Sequence, residues 1–216
     1  MTSPTFEREN HLLTRGYAAI AGIDEVGRGC LAGPVVAAAV ILNPLSIPEG
    51  LKDSKALTAL QRERLYTQLV DQCSWAVGFS DASQIDDINI RQATFLAMDE
   101  AVKTLPTAPD YILVDGCDIP PRFTQPIEAI VKGDQCVASI AAASIIAKVT
   151  RDRWMYAQDK NYPMYGFAQH VGYGTPAHRA ALQKWGPCPL HRRSFSPLRQ
   201  MPENGRICHK KLTFFS

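Results

Sequence analysis

The chain has 216 residues, 46% of them hydrophobic, and a formal net charge of +2 at neutral pH. That is enough apolar material for a sizeable core in one large domain, or in one domain with a C-terminal appendage. No apolar run approaches the roughly 18 residues a membrane span needs, and Met1 to Asn10 is polar without a signal-peptide core, so a soluble, cytoplasmic protein with no membrane association is expected.

In chain order, residues 1–16 read as an N-terminal extension, and Tyr17 to Ile23 as a first strand. Gly33 and Pro34 mark a turn, and the Ala/Val/Ile run Pro34 to Leu42 is predicted to be a second strand, buried on both faces. After a loop from Asn43 to Ala56, Thr58 is a plausible N-cap for a helix to about Asp71, with Leu60, Leu65 and Leu69 spaced for a core-facing stripe. Ser74 to Phe79 makes a third strand. A helical region starting at Ser83 or Asp86 runs to Leu105, where Pro106 and Pro109 stop it.

Tyr111 to Val114 follows as a short buried strand, ending at Asp115 and Gly116. Ile127 to Val131 is a further strand and leads through Lys132-Gly133-Asp134 into the longest helix, about Val137 to Gln158. The alanine-rich part of that helix is most simply a close-packing face. Asn161 to Thr175 reads as a functional loop, and Pro176 to Gly186 as a helix with the usual proline start and glycine stop. The resulting plan is an α/β core over residues 17–160, followed by a loop and C-terminal region over 161–216.

Six cysteines stand scattered without a C-x-x-C pair in a chain too large to need disulfide staples, and they read as reduced thiols. Cys188 and His191 have a ligand-like spacing, but no second pair completes a zinc site. Positive charge gathers in the last third of the chain, at Arg151 and Arg153, at His191-Arg192-Arg193, and at Arg206 with His209-Lys210-Lys211. Any one of these clusters suits a solvated surface; several facing one groove would require a polyanion.

Three acidic positions fall at or beyond strand ends, where open α/β sheets place ligands: Asp24 with Glu25, Asp115, and Asp134. Consecutive strand residues point to opposite faces, so Asp24 and Glu25 share one site only where the strand ends or twists. Gly27 and Gly29 supply that ending and allow close approach of backbone N–H groups to a ligand, although an ordinary hairpin turn with solvated charges uses the same residues. Four converging carboxylates would repel one another and raise their own pKa values unless cations lay between them. Oxygen ligands without organising His or Cys favour magnesium or manganese over zinc.

The ordered motifs make the resemblance specific. They are Asp24-Glu25-Val26-Gly27-Arg28-Gly29, Asp53-Ser54-Lys55, Val114-Asp115-Gly116, Lys132-Gly133-Asp134, Ser139 to Lys148 with Arg151 and Asp152, Tyr165-Gly166-Phe167, Gly172-Tyr173-Gly174, and His191-Arg192-Arg193-Ser194-Phe195. From Gly22 to about Pro197 the chain resembles bacterial ribonuclease HII, of the ribonuclease H superfamily.

The resemblance implies a five-stranded ribonuclease H-like core with a small helical C-terminal region. It also implies Mg2+ or Mn2+ held by Asp24, Glu25, Asp115 and Asp134. The expected activity is endonucleolytic hydrolysis of RNA in RNA/DNA hybrids and at ribonucleotides embedded in duplex DNA, giving 3′-hydroxyl and 5′-phosphate ends. Family members contact the 2′-hydroxyl through residues that map to Gly27, Arg28, Gly29 and Tyr173. Lys55 and Lys148 are candidate phosphate contacts, and Lys148 suits a snorkelling surface lysine equally.

The related ribonuclease HIII would add a sizeable N-terminal domain, for which the residues before the first strand are too few. A monomer is the default. The segment Lys210-Lys211-Leu212-Thr213-Phe214-Phe215-Ser216 loosely resembles peptides that dock into DNA sliding clamps, without their leading glutamine. Its rings suit packing against the chain's own C-terminal helices as well.

Overall fold

Antiparallel pairing needs only a tight turn, whereas parallel pairing needs a crossover, and both signatures are present. The computed structural model describes residues 3–201. Strands β1 (Ile20–Val26), β2 (Val35–Ile41) and β3 (Ser74–Ser80) form an antiparallel meander, and β4 (Tyr111–Asp115) and β5 (Ile127–Ile130) continue the sheet parallel to β1, in the order β3-β2-β1-β4-β5. The expected α/β fold with a five-stranded mixed sheet is thus observed.

Helices cover both faces: α2 (Ala59–Gln72) and α4 (Ala138–Asp159) one, α3 (Ala82–Lys103) the other. The alternation along β2 divides the core. Ala37 and Ala39 pack with Phe95, Met98 and Ala101 of α3, while Ala38 and Val40 pack with Leu65, Leu69, Ala142 and Ile145 of α2 and α4. Small residues set the spacing: a Cβ on Gly22 would collide with the α4 backbone at Ser139 and Ile140, so β1 and α4 touch backbone to backbone. The alanines of α4 serve the same close approach.

The caps agree with the sequence. Thr58 forms a capping box with Gln61, Thr175 caps α6 (Pro176–Trp185), and Gly186 ends it. Several expectations are corrected. Leu60 is 82% exposed and lies off the α2 core stripe that Leu65 and Leu69 form. The N-cap of α3 is Asp81, boxed with Gln84, and the helix is interrupted at Asn89, whose side chain accepts the N–H groups of Arg91 and Gln92. Asp86 is freed for another task described below. The span Asn161 to Thr175 contains a 3-10 turn (Pro163–Tyr165) and a short helix α5 (Phe167–His170), because Tyr165 and Phe167 are core residues.

The segment ahead of β1 holds helix α1 (Glu7–Thr14). Leu12 packs with Ile20, Leu113 and Ile140, and the buried Glu9 accepts the backbone N–H of Ser139 at 2.8 Å in the first turn of α4. No helix among the described residues is long and apolar enough to cross a membrane. The aromatic tail, Leu212 to Phe215, lies outside the described residues.

Candidate active site

β1 continues through the acidic pair to Val26, so the expected end at Ile23 is corrected: Asp24 pairs with Ala38 and Glu25 with Ala37. The methyl side chains of β2 provide a partner strand beyond the apolar stretch, and the turn comes at Gly27, with φ of +91°. Strand alternation therefore holds, and Asp24 lies on the α4 face while Glu25 lies on the α3 face. A third acid unites them. Asp115 stands one step beyond Val114, which is paired with Ile23 across the parallel β1–β4 register, and its charge acts on Asp24, Glu25 and Asp134.

Each of those three responds. Asp24 is 6% exposed; burial first, then Glu25 and Asp115, hold its carboxyl well above the ordinary range, against hydrogen bonds from the Glu25 N–H at 2.8 Å and from Ser144. Burial also raises Glu25, opposed by Arg28 at 3.3 Å. Asp134, buried in a 3-10 turn (Gly133–Gln135) between β5 and α4, is pushed up to about 6 by burial, then by Asp115 and Asp53. The same turn donates the Gly133 N–H to Asp115 Oδ1 at 2.7 Å, which locks the two acid-bearing segments together.

The donor set is all carboxylate and repels itself, the condition a hard divalent cation relieves. Among the described residues no three His, Cys, Asp or Glu groups already form a cage for an ion. An open set still fits magnesium or manganese, because Mg2+ keeps several waters and takes one or two carboxylates plus substrate phosphate oxygens.

Lys55 is brought to this site. Burial alone would lower its pKa, but Asp53, Asp24 and Asp134 more than offset that and raise it. Its loop is anchored from both sides: Ser54 Oγ meets Ser144 Oγ of α4 at 2.8 Å, and Arg62 donates to the carbonyls of Ser54 and Leu57. Ser144 therefore touches both Asp24 and the Asp53-Ser54-Lys55 loop.

The glycine loop after β1 is shaped by two arginines from the basic clusters, for which the sequence left a solvated surface or a shared groove open. Arg151 and Arg192 are each 0% exposed. Arg192 donates to the carbonyls of Gly27, Arg28 and Gly33 at 2.7–3.0 Å, and Arg151 to those of Ala32, Pro34 and Val171 at 2.8–3.1 Å. Burial lowers Arg192 to about 10, still cationic at neutral pH. These two cations serve a ring of neutral backbone carbonyl dipoles and not a polyanion; a charge count cannot tell that use from phosphate binding.

The two glycines differ in role. A Cβ on Gly27 would collide with Arg151 and meet the Pro34 carbonyl oxygen at 2.8 Å, whereas one on Gly29 has nothing within 4 Å. Gly29 and Arg28 are exposed.

Tyr173 joins the same loop. The Gly172 carbonyl accepts the N–H groups of Leu31 and Ala32, which brings Tyr173 beside Cys30. Tyr173 is 39% exposed. Lys148 lies 5.9 Å from the ring centroid and pairs with Asp152 at 2.8 Å. All ten sequence-nominated residues thus fall into two adjoining groups: Asp24, Glu25, Asp115, Asp134 and Lys55 around the strand ends, and Gly27, Arg28, Gly29, Lys148 and Tyr173 along the loop.

Residues the sequence did not nominate hold these groups in place: Ser144, Gly133, Arg151, Arg192 and Asp86. Asp86 accepts the N–H groups of Arg193 and Ser194 and the Ser194 hydroxyl at 2.6–2.9 Å. Ser144, Gly133, Arg151 and Arg192 were visible as members of ordered motifs, and the two arginines also as members of basic clusters; Asp86 was visible only as a possible helix start.

Comparison with known proteins gives the family. The ribonuclease HII family model matches residues 21–197. The chain is 50% identical over 204 residues to a ribonuclease HII of Rhizobium leguminosarum bv. trifolii, covering 94% of this chain and 89% of the relative. Among solved structures, ribonuclease H2 from Pyrococcus horikoshii OT3 aligns with a TM-score of 0.72 at 28% identity, over 85% of this chain and 96% of that one. A structure of the PCNA:RNase HII complex from Archaeoglobus fulgidus gives 0.71 at 28% identity, over 82% and 95%. With the match spanning the acid-bearing strands, the glycine loop and the segment after α6, the chain belongs to the ribonuclease HII family.

Proposed function

We propose that the chain hydrolyses the RNA strand of RNA/DNA hybrids and cuts at ribonucleotides embedded in duplex DNA, with Asp24, Glu25, Asp115 and Asp134 holding magnesium or manganese. The observation that carries this reading is the placing of Asp115 where its charge acts on all three other acids. A bound divalent cation makes water nucleophilic at neutral pH and offsets charge on the departing oxygen.

The protein's own contribution is positional. Asp115 is fixed by the Gly133 N–H and Asp24 by the Glu25 N–H, so their remaining oxygens are oriented before substrate arrives. Lys55 contributes positive charge beside Asp24 and Asp134 for a phosphate. A 2′-hydroxyl both donates and accepts hydrogen bonds, which suits the exposed backbone at Arg28 and Gly29 and the Tyr173 phenol. Lys148, over the Tyr173 ring, is placed to neutralise a neighbouring phosphate.

A cytoplasmic monomer suits this activity. Docking to a sliding clamp through Leu212 to Phe215 rests on the tail motif and on the relative whose structure is a complex with PCNA; loss of clamp capture on deleting Leu212 to Ser216, with hydrolysis spared, tests it. The main reading is tested by assaying a ribonucleotide-containing duplex with Mg2+, Mn2+ or a chelator. Activity should vanish with the chelator and return with either ion. Asp115→Asn, nearly isosteric, should lose at least about a hundredfold in rate while keeping its melting temperature. Activity surviving chelation would contradict the reading.

A further inference from the structure

Behind Tyr173 lie three buried histidines, each 7% exposed or less, that no catalytic role uses: His170 of α5, His178 of α6, and His191 in the segment after it. Their hydrogen-bond partners settle every tautomer. The Tyr173 carbonyl can only accept, so His178 Nδ1, 2.9 Å away, carries the proton. In a neutral ring His178 Nε2 is then an acceptor, and His191 Nε2, 3.0 Å away, must donate to it. That leaves His191 Nδ1 to accept; the backbone N–H of Cys188 points at it from 3.0 Å, and the Cys188 thiol, 3.2 Å away, can donate to it as well.

His170 stacks on His178 with centroids 4.4 Å apart. It donates from Nε2 to the Tyr165 carbonyl at 2.9 Å and accepts the Gly172 N–H at Nδ1 at 3.3 Å. The residues flanking the phenol are therefore gripped by two imidazoles.

We infer that His178 and His191, with His170 beside them, are positioning residues for Tyr173. They form a neutral chain of hydrogen bonds, running in one direction from Cys188 to the Tyr173 carbonyl, that fixes the phenol-bearing loop against the glycine loop. The inference rests on the proposed contact of Tyr173 with the 2′-hydroxyl. Protonating either His178 or His191 would set two N–H groups face to face, or turn a second N–H onto the Cys188 amide. The surroundings favour neutrality: Phe167 packs on all three rings, the Tyr165 ring packs on His191, and Arg179 and Arg193 add positive charge nearby. Burial lowers His178 to about 4 and His191 to about 3.

Imidazole nitrogen shifts of the isotope-labelled full chain read the tautomers directly. The expected pattern at neutral pH is Nδ1–H on His178 and Nε2–H on His191; the opposite tautomer, or an imidazolium at either residue, overturns the inference. His178→Asn keeps a donor at the Nδ1 position and His178→Leu removes it. On duplex DNA with one ribonucleotide, the leucine variant should lose about tenfold in kcat/KM, one buried hydrogen bond's worth, and the asparagine variant most of that less.

In a Tyr173→Ala background the leucine change should add no further loss; an additive loss, or equal rates for Asn and Leu, would show that His178 does not act through Tyr173. Should Tyr173→Ala alone match the parent, the sugar contact falls, and positioning is decided by amide exchange at Tyr173 and Gly174. Faster exchange in the leucine variant alone supports it, and equal exchange overturns it.

Discussion

Asp134 shows how burial and like charge act on one side chain. Its carboxyl is pushed up to about 6, by burial and then by Asp115 and Asp53, whereas in an unfolded chain it would titrate near 3.9, an approximate reference value. A raised folded-state pKa means that the group's contribution to stability is fully present below the unfolded value and is lost as the pH rises through about 6. Asp24 and Glu25 shift in the same direction. His178 and His191 are depressed, so their contribution runs the other way and is lost as the pH falls below their unfolded value.

The acid term is therefore isolated by comparison with Asp134→Asn in the metal-free protein. The variant's gain in melting temperature should be near zero at about pH 4 and reach its full value above about pH 6. Added Mg2+ should stabilise the parent more than the variant at neutral pH; a gain independent of pH would contradict the assignment. The upward direction of these shifts was legible beforehand, because carboxylates at successive strand ends must either repel or share a cation. The loop from Asp53 to Lys55 was visible as a motif, but its tie to Asp24 through Ser144 was hidden in an alanine-rich helix.

The glycine loop between β1 and β2 is the element on which the proposed recognition and the fold both make demands. Gly27 has a positive φ and no room for a Cβ, whereas Gly29 is open. Gly27→Ala should cost several kcal/mol, about 2 or more from strain and collision with Arg151. Gly29→Ala should melt like the parent but cut ribonucleotide-containing duplex more slowly, by about tenfold or more, since the methyl group stands where a sugar would approach. Equal melting of the two variants, or an unimpaired Gly29→Ala, would remove this division of roles. Sequence placed both glycines in one motif and gave them one job. What separates them is Arg151, more than a hundred residues away in the chain, whose burial no local pattern reveals. The same blindness applies to Arg192 and to helix α1, which buries an acid, Glu9, on its inner face and so lacks a clear apolar stripe.

At the scale of the molecule, the strand ends of the mixed sheet carry the acids, and the C-terminal segments, whose Tyr165, Phe167, Leu182 and Leu190 share a core with Leu31 and Ala32 of the glycine loop and Met155 of α4, present Tyr173 beside them. The sheet and the caps of α2 and α6 were legible because periodicity and turn residues are local, whereas the N-cap of α3 and the end of β1 were misplaced. Packing of the C-terminal region was not legible, since its prolines and aromatics carry no repeat. The two halves are joined where the Gly172 carbonyl holds Leu31 and Ala32, and where Arg192 holds Gly27 and Gly33. The proposed metal centre and the proposed sugar contact are in this way joined by hydrogen bonds, and the position of the cut should follow the ribonucleotide.

The most direct measurement moves a single ribonucleotide stepwise along a duplex DNA of fixed sequence and maps the cut. The expected result is a cut that shifts step for step with the ribonucleotide and leaves 3′-hydroxyl and 5′-phosphate ends. A cut whose place is set by the surrounding sequence, or cleavage of the all-DNA duplex, would contradict it.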